Sequence, residues 1–146
     1  MSYYGIGFSC RFIKTLDAKL YPQILDDELM ATIKWYNLDK KEIIFQHDND
    51  SKHKAKLVER WFQSMQIQVL DWPSQSPDFN PIEHLWDEVK RRLRDRLPQI
   101  SGKDGLWEKV KTVWESLTKD DCVTSINTMP RRIQEVINAR GGYTEL

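Results

Sequence analysis

The sequence predicts an α/β fold. Two short apolar runs, at 43–45 and 67–70, bracket a stretch at 54–65 whose apolar residues share one helical face. Helical periodicity dominates the remainder of the chain, and strand, helix and strand in succession are the signature of a parallel pair joined by a crossover. At 146 residues, with 40% hydrophobic and 30% charged content, the chain suits one soluble domain with a core of its own.

Taken in order, residues 6–13 (IGFSCRFI) are rich in β-formers and follow a turn marked by Gly5 and Gly7, which predicts a strand. In the run AKLYPQILDDELMATIKWY, Leu20, Ile24, Leu25, Leu29 and Ile33 fall at helical spacing, with the helix starting near Pro22. The run 43–45 reads as a strand buried on both faces and ending at Gln46, His47 and Asp48, after which the chain turns at Asn49 and Asp50. Leu57, Val58, Trp61, Phe62 and Met65 then mark a helical face, and 67–70 a second strand. Because such crossovers are right-handed with parallel strands, both strands end at one edge of the sheet.

Pro73, Ser74, Ser76 and Pro77 make an ordered loop after Trp72. Asn80, Pro81 and Glu83 announce the next helix, as an N-cap, a proline in the first helical position and a glutamate two places later, running to about 96 before Pro98. Asp104 opens a helix carrying Leu106, Val110, Val113, Trp114 and Leu117. Shorter helices follow at 120–128 and 130–139, the last ended by Gly141 and Gly142. Of six tryptophans, Trp61, Trp107 and Trp114 are assigned to the core by spacing, and Trp72 is left open at the start of the loop.

No apolar stretch reaches the roughly 18 to 20 residues of a membrane span, and no signal-peptide pattern opens the chain, so an intracellular protein is expected. Cys10 and Cys122 lack a CxxC pairing and read as reduced structural thiols. Net charge is zero, which argues against a chain that coats DNA by charge alone. The average hides a basic segment, Lys90, Arg91, Arg92, Arg94 and Arg96, whose side chains could grip phosphates or simply solvate a helix face. Arg131 and Arg132 at a later helix start carry the same two readings.

Asp48 and Glu83 are the chemically informative pair. The loop after the second strand returns Glu83 toward the edge where Asp48 sits, and two hard carboxylate oxygens suit Mg²⁺, which takes few protein ligands and leaves the rest to water and phosphate. A pair of such ions about 4 Å apart could activate a water or a DNA 3′-hydroxyl for phosphoryl displacement. Each residue has a blander reading: Glu83 as a capping-box side chain, Asp48 as turn chemistry. His47 is expected to pack behind the site, because neighbouring strand residues face opposite ways. His53, just past the turn, is the better candidate to touch substrate or orient Asp48, with Asn49 as a further supporting residue.

At FQHDNDSKH, DWPSQSPDFNPIEHLW and MPRRIQEVINARGG the chain resembles the catalytic domain of mariner-type transposases, members of the DDE transposase and integrase superfamily. The resemblance is collinear from residue 5 to residue 142. It implies an incomplete ribonuclease-H-like fold, a mixed sheet flanked by helices, over 1–97, with a helical C-terminal extension over 98–146, together forming a single partial catalytic domain. It also implies cut-and-paste transposition on double-stranded DNA, with Mg²⁺ or Mn²⁺ held by two aspartates and a glutamate. Asp48 matches the second aspartate and Glu83 the glutamate, with the family's spacing of 34 residues between them. The family's first aspartate belongs upstream of this sequence, and neither Asp17 nor Asp39 stands in for it. His47, Ser51 and His84 replace the usual glutamine, proline and asparagine, and none of these changes removes a ligand.

The expected function is thus that of a DNA transposase or endonuclease fragment, inactive or severely impaired alone. Its partners would be transposon-end and target DNA, with a homo-oligomer or a full-length transposase as a further partner, in the nucleus. The alternative is a non-catalytic remnant that binds nucleic acid or partners a transposase. A gene fragment without present function is the third reading.

Overall fold

Asp17 begins the first helical run by turning its carboxylate onto its own chain: Oδ1 accepts from the N–H groups of Lys19 and Leu20 at 2.9 and 2.7 Å. In the computed structural model, which describes residues 1–13, 15–48, 50–73, 76, 79–94 and 102–140, helix α1 spans Leu20–Ile24. A π-helical turn follows at Leu25–Leu29, and helix α2 at Met30–Trp35. Contacts divide the chain into two units, Gly7–Gln75 and Met1–Ile6 with Ser76–Leu146.

Within Gly7–Gln75, β1 (Ile44–Phe45) and β2 (Gln68–Val69) pair in parallel with Ile44 opposite Gln68 and Phe45 opposite Val69, joined through helix α3 (Lys56–Met65). This is the expected strand, helix, strand unit, with shorter strands. Helix α3 ends because Gln66 adopts a left-handed conformation at φ 57°, turning the chain into β2. Leu25, Ile33, Val58, Phe62 and Ile67 form the buried core, and Val58 is 0% exposed.

Two strand expectations need correction. Ile44 is 58% exposed, so β1 is buried on one face only. Helix α3 covers the side of Phe45, whose ring lies 5.1 Å from that of Phe62, and the alternation of a strand turns Ile44 the other way. Residues 6–13 form no strand, because no described neighbour offers them a ladder of hydrogen bonds. They are tied down by a side chain instead: the Phe8 N–H donates to Thr32 Oγ1 at 2.9 Å, and Thr32 donates to the Glu28 carbonyl at 2.7 Å. A Cβ on Gly7 would come to 3.0 Å of the same Thr32 oxygen, so any larger residue there would have to push the Thr32 side chain aside.

The other unit is helical: α4 (Pro81–Arg94), α5 (Gly102–Glu115), α6 (Lys119–Asn127) and α7 (Met129–Asn138). Leu85, Val89 and Leu93 recur along one face of α4 and pack with Val113, Trp114, Leu117 and Cys122. The Trp86 ring stacks on Trp114 with centroids 5.0 Å apart. Trp114 is therefore core as expected, whereas Trp61 and Trp107 are half-buried. Thr118 caps α6 in a reciprocal capping box with Asp121, which the order Thr-Lys-Asp-Asp spells out. Arg96, the helix end expected before Pro98, and Gly141 with Gly142 lie outside the described residues. Among the described residues no helix is long and apolar enough to cross a membrane.

Candidate metal centre and its surroundings

Asp48 stands three residues beyond β1, where the chain leaves the sheet. Its Oδ1 takes two bonds, one from the backbone N–H of Asp50 at 3.1 Å and one with His53 Nδ1 at 2.5 Å. Among the described residues nothing bonds to Oδ2, and the side chain is 64% exposed. The carboxylate is thus tied on one oxygen and open on the other. His53 reaches it because Asp50 builds a tight turn, accepting at its carbonyl from the N–H groups of His53 and Lys54 at 2.9 and 3.1 Å. The Asp50 carboxylate, which accepts from the Lys52 N–H, is held below the usual carboxylate range by that bond.

Behind the carboxylate lies a layer of rings. His47 faces the same side as Phe45, with its ring 5.7 Å from those of Phe45 and Phe62, which is the packing position expected of it. Burial, followed by the neighbouring His53, pushes its imidazole below the ordinary histidine value, which keeps it neutral at pH 7. Its Nδ1 is buried without a hydrogen-bond partner among the described residues. Tyr21 from α1 lies on His53 with ring centroids 4.2 Å apart, and burial, reinforced by Asp48, pushes its phenol well above the ordinary tyrosine value. A cavity of about 550 Å³ opens beside this layer, lined among others by His47, His53, Phe62, Gln63 and Trp72. Asn49 lies outside the described residues.

Glu83 sits in the first turn of α4, where the carboxylate is favoured by the positive end of the helix. Asn80 caps that helix: its side chain accepts from the Ile82 N–H at 3.4 Å and its carbonyl from the Glu83 N–H at 3.1 Å. Glu83 is exposed, and among the described residues its carboxylate makes no hydrogen bond or ion pair, so it is available to a ligand. Asp48 and Glu83 belong to different units. Among the described residues no three of His, Cys, Asp and Glu are grouped as a metal site.

The basic residues of α4 are largely engaged with its own acids. Lys90 pairs with Asp87 at 2.9 Å, both 68% exposed, and Arg91 makes a two-pronged contact to Glu88 at 2.8 and 2.7 Å. Arg92 bridges Glu88 at 2.5 Å and Asp121 of α6 at 2.9 Å, so it braces two helices. Among the described residues Arg94 makes no ion pair. Arg131 lies 3.6 Å from Glu135 and is 73% exposed. Arg132 departs from the surface reading: at 3% exposure it is enclosed in its unit, because the face of α7 that it occupies turns inward. Sequence reasoning missed Tyr21 altogether, and nothing in its local context marks it. It also missed the brace, for which Glu88 and Arg92 four residues apart were a visible signal.

The family model for DDE superfamily endonucleases matches residues 1–106. The chain is 36% identical over 135 residues to the transposable element Tcb2 transposase of Caenorhabditis briggsae, covering 92% of this chain and 48% of that protein. It is 44% identical over 102 residues to the Tc1 transposase of Caenorhabditis elegans, covering 70% of this chain and 37% of that one. The chain thus spans about half the length, or less, of these curated relatives. The Mos1 mariner transposase catalytic domain superposes with a TM-score of 0.85 at 20% identity, over 99% of this chain and 73% of that one, which shows the ribonuclease-H-like fold. The Mos1 catalytic domain has been solved with Mn and with Mg, and a pre-cleavage Mos1 transpososome matches with a TM-score of 0.79 at 20% identity, over 91% of this chain and 40% of that chain. With its motifs and its family model in agreement, the chain belongs to the DDE superfamily endonucleases, of the mariner type.

Proposed function

We propose that this chain contributes two carboxylates, Asp48 and Glu83, to a divalent metal site used for phosphodiester hydrolysis and strand transfer in DNA transposition. The observation that carries the reading is the state of Asp48. One oxygen is anchored by His53 and the Asp50 N–H, and the other makes no bond among the described residues on a side chain 64% exposed, as suits an oxygen ligand for Mg²⁺ or Mn²⁺. Glu83, exposed and uncommitted at a helix start, has the matching chemistry.

When bound, the ion supplies the charge that activates a water or 3′-hydroxyl and stabilises the leaving oxygen. The chain's own part is to hold: His53 fixes the Asp48 carboxylate, and Asn80 fixes the start of the helix that bears Glu83. Lys90, Arg91, Arg94 and Arg131, exposed on their helices, contact DNA phosphates, while Arg92 and Arg132 serve packing. Transposon ends and target are the DNA partners, a second transposase copy is the protein partner, and the nucleus is the site of action.

Titration with Mn²⁺ followed by NMR tests the site, with broadening expected at Asp48 and Glu83 and lost in Asp48→Asn. No broadening at either residue would sink it. Nicking of transposon-end DNA, with Asp48→Asn as the control, tests the activity itself. The basic residues exposed on α4 and α7 favour a second reading, a nucleic-acid-binding partner without catalysis. Metal-independent, salt-sensitive DNA binding that is weakened by Arg91→Ala with Arg94→Ala would support that one.

A further inference from the structure

We infer that Tyr21 is a positioning residue for the candidate site: its ring fixes the plane of His53, and through His53 the orientation of the Asp48 carboxylate. The inference rests on the proposed role of Asp48 as a metal ligand.

An aspartate beyond the end of a strand, 64% exposed, turns about two side-chain torsions that bonds must fix. Its direction is set by what bonds to it. Both bonds go to Oδ1, and the shorter comes from His53, whose side chain is only 16% exposed. The direction of Oδ2 is therefore decided by where the His53 ring sits. That ring stands on a turn, and a turn alone does not hold a ring plane.

Two rings flank it instead. Tyr21 lies 4.2 Å from His53 at 30° between planes, and His47 lies 5.4 Å away at 26°. Tyr21 and His47 are nearly parallel, at 8° and 6.3 Å. His47 is itself lodged against Phe45 and Phe62 of the core. Tyr21 is thus the closest of the rings to His53, and it comes from α1, an element with no carboxylate of the site. Among the described residues the Tyr21 hydroxyl makes no hydrogen bond, so the contribution belongs to the ring face. A carboxylate oxygen only accepts, so the bond to Asp48 calls for a hydrogen on His53 Nδ1, in the manner of a histidine whose partner sets its proton.

The experiment uses the full chain as wild type, Tyr21→Phe, Tyr21→Leu, His53→Ala and the Tyr21→Leu/His53→Ala double variant. The first readout needs no metal: long-range ¹H–¹⁵N spectra report the His53 tautomer. Tyr21→Phe should keep the Nδ1–H form, and Tyr21→Leu, still melting cooperatively, should shift it to a mixture. The second readout is Mn²⁺ affinity by electron paramagnetic resonance. Tyr21→Leu should weaken it about tenfold, as loss of an outer partner does, and the double variant should be no weaker than His53→Ala. An unchanged tautomer in Tyr21→Leu, additive losses in the double variant, or a tautomer lost in Tyr21→Phe would each overturn the proposal. Tyr21→Phe preserves shape and so keeps the test decisive where leucine prevents folding. If Mn²⁺ binds no variant while the tautomer responds as expected, the metal reading fails and the Tyr21–His53 contact stands.

Discussion

Replacing Arg92 by methionine separates a brace from a phosphate contact. Methionine keeps most of the aliphatic stem and removes the guanidinium, which bonds Glu88 at 2.5 Å and Asp121 at 2.9 Å. A buried charge-assisted hydrogen bond contributes about 1.5–3 kcal/mol, and an exposed ion pair roughly 0–1 kcal/mol. With Arg92, Glu88 and Asp121 at 27%, 24% and 23% exposure, each bond falls between these limits, near the lower one. Neither acid is stranded, because Glu88 keeps Arg91 at 2.7 Å and Asp121 keeps the Thr118 N–H at 2.7 Å. The expected loss is about 2 kcal/mol, or roughly 5 °C in melting temperature for a chain of this size.

Urea unfolding followed by tryptophan fluorescence reads that loss through the Trp86–Trp114 pair in the same core. The pH dependence supplies a second check. Burial pushes the Asp121 carboxyl up, but the Thr118 bonds and the Arg92 charge outweigh it and leave the net value below the ordinary 3.8. Hydrogen bonding by Arg91, then by Arg92, outweighs burial at Glu88 and lowers it from 4.5. Values depressed in the folded state mean stability that is complete above the ordinary carboxylate range and lost as pH falls through the folded values. The gap between wild type and Arg92→Met should therefore be widest near pH 7 and close as pH falls below the ordinary carboxylate range through the lowered folded values. An unchanged unfolding midpoint at pH 7 would refute the brace. If DNA affinity fell while stability held, Arg92 would return to the phosphate-gripping role.

Two further stability changes follow from burial and capping. Val58 and Leu85, at 0% and 1% exposure, each fill a different core, so Val58→Ala should cost about 2 kcal/mol and Leu85→Ala about 3 kcal/mol by urea titration. A loss below about 1 kcal/mol at either would mean that its core is less tightly packed than described. Thr118→Ala removes the cap of α6 and should cost about 1 kcal/mol, whereas Thr118→Ser should restore most of it, as read from thermal melts by circular dichroism.

The α/β class, the parallel strand, helix, strand unit and the start of α4 were all legible in the residues. Their signals are local: the spacing at Val58, Trp61, Phe62 and Met65 orients a helix by itself, and Asn80 before Pro81 caps one by bonding within a single turn. The link between His53 and Asp48 was legible too, since five residues around a tight turn are also local. Strands were read less well. The β-rich run 6–13 has the composition of a strand but joins no ladder among the described residues, and the buried face expected of Ile44 is one that only a covering layer could provide.

What the sequence by itself determined is therefore the family, through three motifs, and the main helices, whose hydrogen bonds close within a few residues. Only the tertiary structure decided that Arg92 and Arg132 turn to packing and that Tyr21 comes to lie on His53. The physical reason is distance along the chain: Arg92 finds Asp121 29 residues away, and Tyr21 finds His53 across a helix and a strand. No local propensity encodes such a meeting, because its free energy arises only when separate elements pack and exclude water.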